Sequence, residues 1–286
     1  NPLATVYTSR DTLNSAIAYL VFNRPEVFNA MNEQLIREFR EVAFSLASAT
    51  DIRVLVLKGT GKAFLAGGDV GMFHAKKDDP TLAATVIPMG DYMHDAIVAI
   101  RNMPFPVIAQ IQGACAGAGV SVALACDFVV VSDKASFNTA YTKIGLSPDG
   151  GATWVLPRIL GMRKATELIM LAETIDAPAA LSLGMVTKVV PAAQLDEEVL
   201  TLANRLATGA TVAYANAKRL LNESFETPLR RQMDNEIARF ADCTKTGDFK
   251  EGVTAFVEKR AAKFIGTGNS HKHGRLQAKM LQNARG

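Results

Sequence analysis

The sequence predicts an α/β protein: repeated strand–turn–helix units to about residue 205, then helices only to about residue 265. Three observations carry this. Four short runs, Ile17 to Phe22, Val54 to Leu57, Val107 to Ile111 and Phe128 to Val131, are rich in Val and Ile. They do not alternate apolar with polar, as expected of parallel strands buried on both faces. The first three each run into a turn cluster (NRPEVFN, GTGKAFLAGGD, QGACAGAG) and then into a helical pattern. From Pro191 onward no strand-like run recurs.

After the first strand, Leu35, Phe39, Val42 and Leu46 recur at spacings of four, three and four, one stripe of an amphipathic helix with Asn32 as its N-cap. Val54 and Val107 open successive units, each a strand, a glycine-rich turn and helical material. Leu195, Val199, Leu202 and Leu206 form a further stripe, and helical patterns continue through Phe264. The segment 266–286 is polar, carries Lys272, Arg275, Lys279 and Arg285, and is expected to be a mobile tail.

Composition narrows the function. The chain has 286 residues, 49% hydrophobic and 21% charged, which suits a folded domain. A net charge of +3 offers no strong field for nucleic acid or a membrane surface. Gly113 to Val131 is interrupted by Ser121 and Asp127 and does not read as a membrane span. The N-terminus lacks the basic-then-apolar build of a signal peptide. Cys115, Cys126 and Cys243 are too scattered for a disulfide framework or a zinc site, so a reduced cytoplasmic setting is expected.

Several familiar chemistries are missing. Gly117 to Val122 (GAGVSV) lacks the third glycine of a dinucleotide fingerprint. Gly59 to Ala63 (GTGKA) resembles a phosphate loop, but Val56 and Ala63 stand where glycine and Ser or Thr are required. Ser121 lies in GVSVA, not in a nucleophile elbow. His74, His94, His271 and His273 form no helical metal pair, and no metal site is expected.

What remains is a pair of glycine-rich turns, AGGD at 66–69 and GACAGAG at 113–119, each leading from a strand into a helix. Glycine permits close approach and positive φ, and a helix start offers unpaired N–H groups. Two such turns facing one another would form an oxyanion hole. Either turn alone is read more simply as the end of a strand.

Family-like motifs join these turns. FNRPEVFNAM at Phe22, KAFLAGGDV at Lys62, PVIAQIQGACAGAG at Pro106, Cys126–Asp127, IGLSPDGGATW at Ile144 and GVTAFVEKR at Gly252 occur in order. Together they resemble the crotonase (enoyl-CoA hydratase/isomerase) superfamily. The resemblance implies a spiral of ββα repeats with C-terminal helices that build homotrimers, often paired as hexamers. It implies an acyl-CoA substrate, with coenzyme A entering as part of the thioester and no tightly bound cofactor. Its oxyanion donors fall on the backbone N–H groups of Gly68 and Ala118. Ala66, Asp69 and, from the C-terminal region, Lys259 match positions expected to meet CoA.

The two glutamates with which family hydratases add water fall on Ser121 and Tyr141, so ordinary hydration is not expected. Asp149, in SPDGGATW, resembles the acid of the ring-1,2-epoxyphenylacetyl-CoA isomerase and Δ3,Δ2-enoyl-CoA isomerase branch. The resemblance implies a lone proton-shuttling base, which an apolar pocket supplied by Trp154 or Leu146 would strengthen. Read without the family, Asp149 is a turn former that caps the helix beginning near Gly150, and Ser121 is a packing residue. Three other readings stay open: hydratase-type activity on an unusual substrate; an aryl-CoA dehalogenase with Asp149 as nucleophile and His94 as base; and a non-enzymatic scaffold or RNA-binding protein using the basic tail.

Overall fold

The computed structural model describes residues 4–266. The tail expected to be mobile, with its four cations, lies outside the described residues from 267 onward.

Six strands form the main sheet: β1 (Val6–Arg10), β2 (Ile17–Phe22), β3 (Val54–Gly59), β5 (Val107–Ile111), β7 (Phe128–Ser132) and β10 (Lys188–Val190). Their order is β1-β2-β3-β5-β7-β10, parallel throughout except for β1. Short strands β4 (Ala63–Leu65), β6 (Ala114–Ala116), β8 (Ser136–Asn138) and β9 (Ile175–Asp176) make a second sheet in the order β4-β6-β8-β9. Each long strand from β3 to β7 is thus followed by a short one in the other sheet and then by helix. This is the expected ββα spiral.

The absence of alternation in the long strands has a direct cause. Leu55 and Leu57 face one core with Phe39 and Phe64, whereas Val54 and Val56 face a second core closed by α8 (Leu195–Ala207). Both faces of β3 are therefore dry. The first core is roofed by α1 (Glu33–Ala47), whose Asn32 cap accepts from the Leu35 N–H at 2.9 Å, and by α3 (Leu82–Arg101).

The remaining helices are α2 (Val70–Ala75), α4 (Ala118–Leu124), α5 (Ala152–Leu160), α6 (Met162–Leu171), α7 (Ala177–Ser182), α9 (Thr211–Glu223), α10 (Leu229–Cys243) and α11 (Gly247–Val257). Among the described residues, no helix is long and apolar enough to cross a membrane. Sequence periodicity misses the strands of two or three residues, which cannot establish a period, and β1, an edge strand of five residues with only Val6 buried.

Candidate active site

β4 and β6 run parallel, pairing Ala63 with Ala114 and Leu65 with Cys115. Their exits therefore lie side by side, and each exit is a glycine turn. A Cβ placed on Gly117 would sit 3.4 Å from the Gly67 Cα, so the two turns touch. Both glycines have positive φ, 89° at Gly67 and 51° at Gly117, which other residues rarely adopt. A Cβ on Gly119 would collide with the Leu65 carbonyl oxygen, so glycine there lets α4 press against β4.

The amides predicted as donors are left open by this arrangement. Met31 bridges Gly68, donating to the Gly67 carbonyl and accepting from the Asp69 N–H, at 2.7 and 3.0 Å. In a parallel bridge this pattern turns the N–H of Gly68 itself to the opposite side, where the β6 turn lies. Ala118 is the first residue of α4, and its N–H has no preceding carbonyl to bond. The Phe73 ring stands against Gly68, 3.0 Å from where a Cβ would be. Sequence reasoning gave Phe73 no role.

Three residues along α4 from Ala118, on the same face, Ser121 is buried and its hydroxyl donates to the Asp149 carbonyl at 3.1 Å. The Tyr141 hydroxyl donates to the Asp149 carboxylate at 2.5 Å. His94, on α3, accepts the Gly150 N–H at its Nε2 at 3.3 Å. Ser121, Tyr141, His94 and Asp149, drawn from four separate segments, thus converge on one turn. Burial and the Asp149 charge push the Tyr141 hydroxyl above its ordinary value, so it remains a proton donor to the carboxylate.

Two expectations are corrected here. Asp149 does not cap α5: the N-cap is Gly151, with no side-chain capping bond, and the Asp149 carboxylate turns to Tyr141 instead. Trp154 and Leu146 do not wall an apolar pocket around Asp149. Arg158 and Arg101 cover the Trp154 ring at 3.8 and 4.7 Å, Leu146 is exposed, and Asp149 is itself open to solvent in the single chain. The indole packs partly against the main core and also takes the two guanidiniums, because its face attracts cations.

The Asp69 carboxylate is committed to its own chain: it caps α2 through the Met72 N–H and pairs with Arg24 at 3.2 Å. The Ala66 N–H donates to the Phe28 carbonyl. Asp69 and Ala66 thereby fix the turn that presents Gly68. Lys259 follows α11 with φ of 55° and is exposed, away from this cluster in sequence. Sequence reasoning also missed Asn29, fully buried with positive φ, whose side chain bonds Arg24, Thr60, Ala63 and Phe64 and so braces β4, the strand that leads into the turn. Its lone signal was an asparagine before an apolar run, a common turn feature.

The sequence profile of the enoyl-CoA hydratase/isomerase family matches residues 12–267. A Rhodobacter capsulatus protein named "Probable enoyl-CoA hydratase" is 35% identical over 91% of this chain and 98% of its own. The 1,2-epoxyphenylacetyl-CoA isomerase of Escherichia coli is 32% identical over 89% and 97%. The crystal structure of an enoyl-CoA hydratase from Polaromonas sp. superposes with a TM-score of 0.83 at 35% identity, covering 90% of this chain and 98% of that one. Hydratase and isomerase names thus occur side by side among the relatives. Profile, sequence and fold agree, and the chain belongs to the enoyl-CoA hydratase/isomerase, or crotonase, superfamily.

Proposed function

We propose that the chain isomerises an enoyl-CoA, or a ring-epoxide acyl-CoA, with Asp149 moving the proton and the amides of Gly68 and Ala118 holding the thioester oxygen. The observation that supports this most is the make-up of the network. Asp149 is the one carboxylate paired within it among the described residues, and Ser121 ties it to α4 one turn from Ala118. Water addition in the family calls on two carboxylates. Proton transfer between two carbons needs one.

The chemistry follows. The thioester oxygen accepts from both amides, which lowers the cost of the negative charge that develops there. Asp149 takes a proton from the carbon next to the carbonyl, and the C–H electrons pass into the enolate. As the double bond moves into conjugation, the same carboxyl group returns the proton to the γ carbon. Tyr141 keeps its own proton and donates to the carboxylate throughout. With an epoxide substrate, the same base and hole would promote rearrangement of the ring. The dehalogenase reading is weaker, since the His94 nitrogen that would activate water already accepts the Gly150 N–H.

Ala66, Asp69 and Lys259 are the proposed CoA contacts, with Ala66 and Asp69 acting through the turn they hold. A homotrimer or hexamer accompanies this reading. On α10, Leu229, Met233, Ile237 and Phe240 form a stripe at spacings of four, four and three, and the helix buries none of its residues in the single chain. An apolar stripe of this extent is a surface for another subunit. Sedimentation is expected to give three or six chains per particle; a monomer would overturn this.

A panel of 2-enoyl, 3-enoyl, phenylacetyl-derived and halobenzoyl thioesters in deuterated water tests the reaction type. The 3-enoyl or epoxide substrate is expected to rearrange, and crotonyl-CoA to be hydrated about 10²-fold less efficiently than that rearrangement proceeds. Efficient hydration would show that other groups replace the missing pair.

A further inference from the structure

The turn that carries Asp149 leads into α5, a short helix packed against α6 and α4. It has nine residues, contains Pro157, and is entered through Gly150 and Gly151, both at positive φ. Isolated helices of this length are marginal. α5 buries only Ala152, Val155 and Leu156. Packing on α6 and α4 seats α5 in the core, and contacts from α3 then bear on the aim of Asp149.

On α5, Trp154 is half-buried against the main core, with the Arg158 guanidinium 3.8 Å from the ring centroid and that of Arg101 at 4.7 Å. Arg158 also donates to the Trp154 carbonyl at 2.8 Å. Its Nε is buried with no acceptor among the described residues, so the guanidinium is held by the ring contact together with its Trp154 carbonyl bond and the Glu226 pair. Arg101 ends α3, the helix that bears His94 two turns earlier. α3 therefore grips the Asp149 segment twice, at the Gly150 amide and at the Trp154 ring. The end of α3 is itself anchored by α9, through Lys218 to the Ile100 carbonyl and Asn222 to the Arg101 carbonyl. Glu226, beyond α9, accepts from the Trp154 Nε1 at 3.4 Å and pairs with Arg158 at 3.6 Å. Burial pulls the Arg101 guanidinium below its ordinary value, Asp127 opposes this, and the Arg158 charge adds to it. Two cations nonetheless share one indole.

We propose that Trp154, in cation–π contact with both Arg101 and Arg158, is a positioning residue that sets the aim of the Asp149 carboxylate by tying α5 to α3. This rests on the reading of Asp149 as the base. It assigns the helices beyond residue 206 a part in the chemistry through α9, besides any role in assembly.

The test uses full-length Trp154→Ala and Arg158→Lys, each alone and combined with Asp149→Asn, assayed on 3-enoyl-CoA. Arg158→Lys keeps the charge but loses the planar stack. For Trp154→Ala, kcat is expected to fall about 10²-fold, the effect of a displacement near 1 Å. KM should stay within about twofold because the Gly68 and Ala118 amides lie on other elements. Arg158→Lys should give a smaller fall of the same kind. On the Asp149→Asn background neither change should lower turnover further, since residues that act through one group are not additive. Trp154 is the chain's single tryptophan, so a red shift of its emission in Arg158→Lys reports loss of the stack directly.

Lowered Tm with unchanged kcat would make the stack merely structural and overturn the proposal, as would full additivity with Asp149→Asn. Wild-type turnover in Asp149→Asn alone would instead overturn the base assignment, so the two failures are distinguishable. Should Trp154→Ala not fold, Arg158→Lys decides by the same criteria.

Discussion

Asp149→Asn is expected to reduce isomerisation of a 3-enoyl-CoA by about 10²–10⁴-fold, the range over which a positioned acid–base group contributes. Acyl-CoA affinity and Tm should change little. The structure makes this substitution unusually clean. Ser121 donates to the Asp149 backbone carbonyl and His94 accepts from the Gly150 backbone amide, so neither contact depends on the carboxylate. The amide oxygen of asparagine can still accept from Tyr141. What disappears is the capacity to take and return a proton. The measurements are steady-state kinetics, binding of a non-reactive acyl-CoA, and deuterium incorporation from solvent. Wild-type turnover in the variant would end the proton-shuttle assignment, whatever the fate of the oxyanion hole.

The long strands were legible because burial on both faces leaves a compositional trace. Ile17–Phe22 and Val107–Ile111 are found within the residues expected, and α1 and α8 follow their apolar stripes. The second sheet was not legible as strands. Ala63–Leu65, Ala114–Ala116 and Ser136–Asn138 are three residues each, and their pairing is fixed by the crossovers of the long strands. Yet these short strands align the two glycine turns. The sequence showed the turns themselves; only the topology put them in contact.

At the site, residue types could be read but partners could not. Asp149 after Pro148 satisfies local turn chemistry, and local chemistry alone assigns it to capping. A hydroxyl from Tyr141, eight residues away across the 141–144 turn, captures the carboxylate instead. Trp154 failed for a related reason. A lone tryptophan in an apolar context reads as a pocket wall; Arg158, four residues along the same helix, was within reach of sequence reasoning, but Arg101 can be placed over the ring only once α3 and α5 are packed. Long-range pairing of a charged or aromatic group leaves no period in a sequence.

The other large effect belongs to the backbone. Ala118→Pro is expected to lower kcat/KM by about 10²–10³-fold, the loss seen when one oxyanion donor is removed. Proline is well tolerated at the first position of a helix, where its missing N–H costs no helical bond. Ala118 holds that position in α4, so the fold should survive. The pyrrolidine ring would also fill the space in front of the amide. Both effects matter only if the thioester oxygen comes there, so either outcome reports on the same location. Ala118→Gly supplies the control: it keeps the N–H and should remain within a fewfold of wild type. Because enolate formation needs hole and base in one step, isomerisation and solvent deuterium exchange should fall in parallel in the proline variant. A folded, fully active Ala118→Pro would remove Ala118 from the hole and leave the Gly68 amide to hold the developing charge alone.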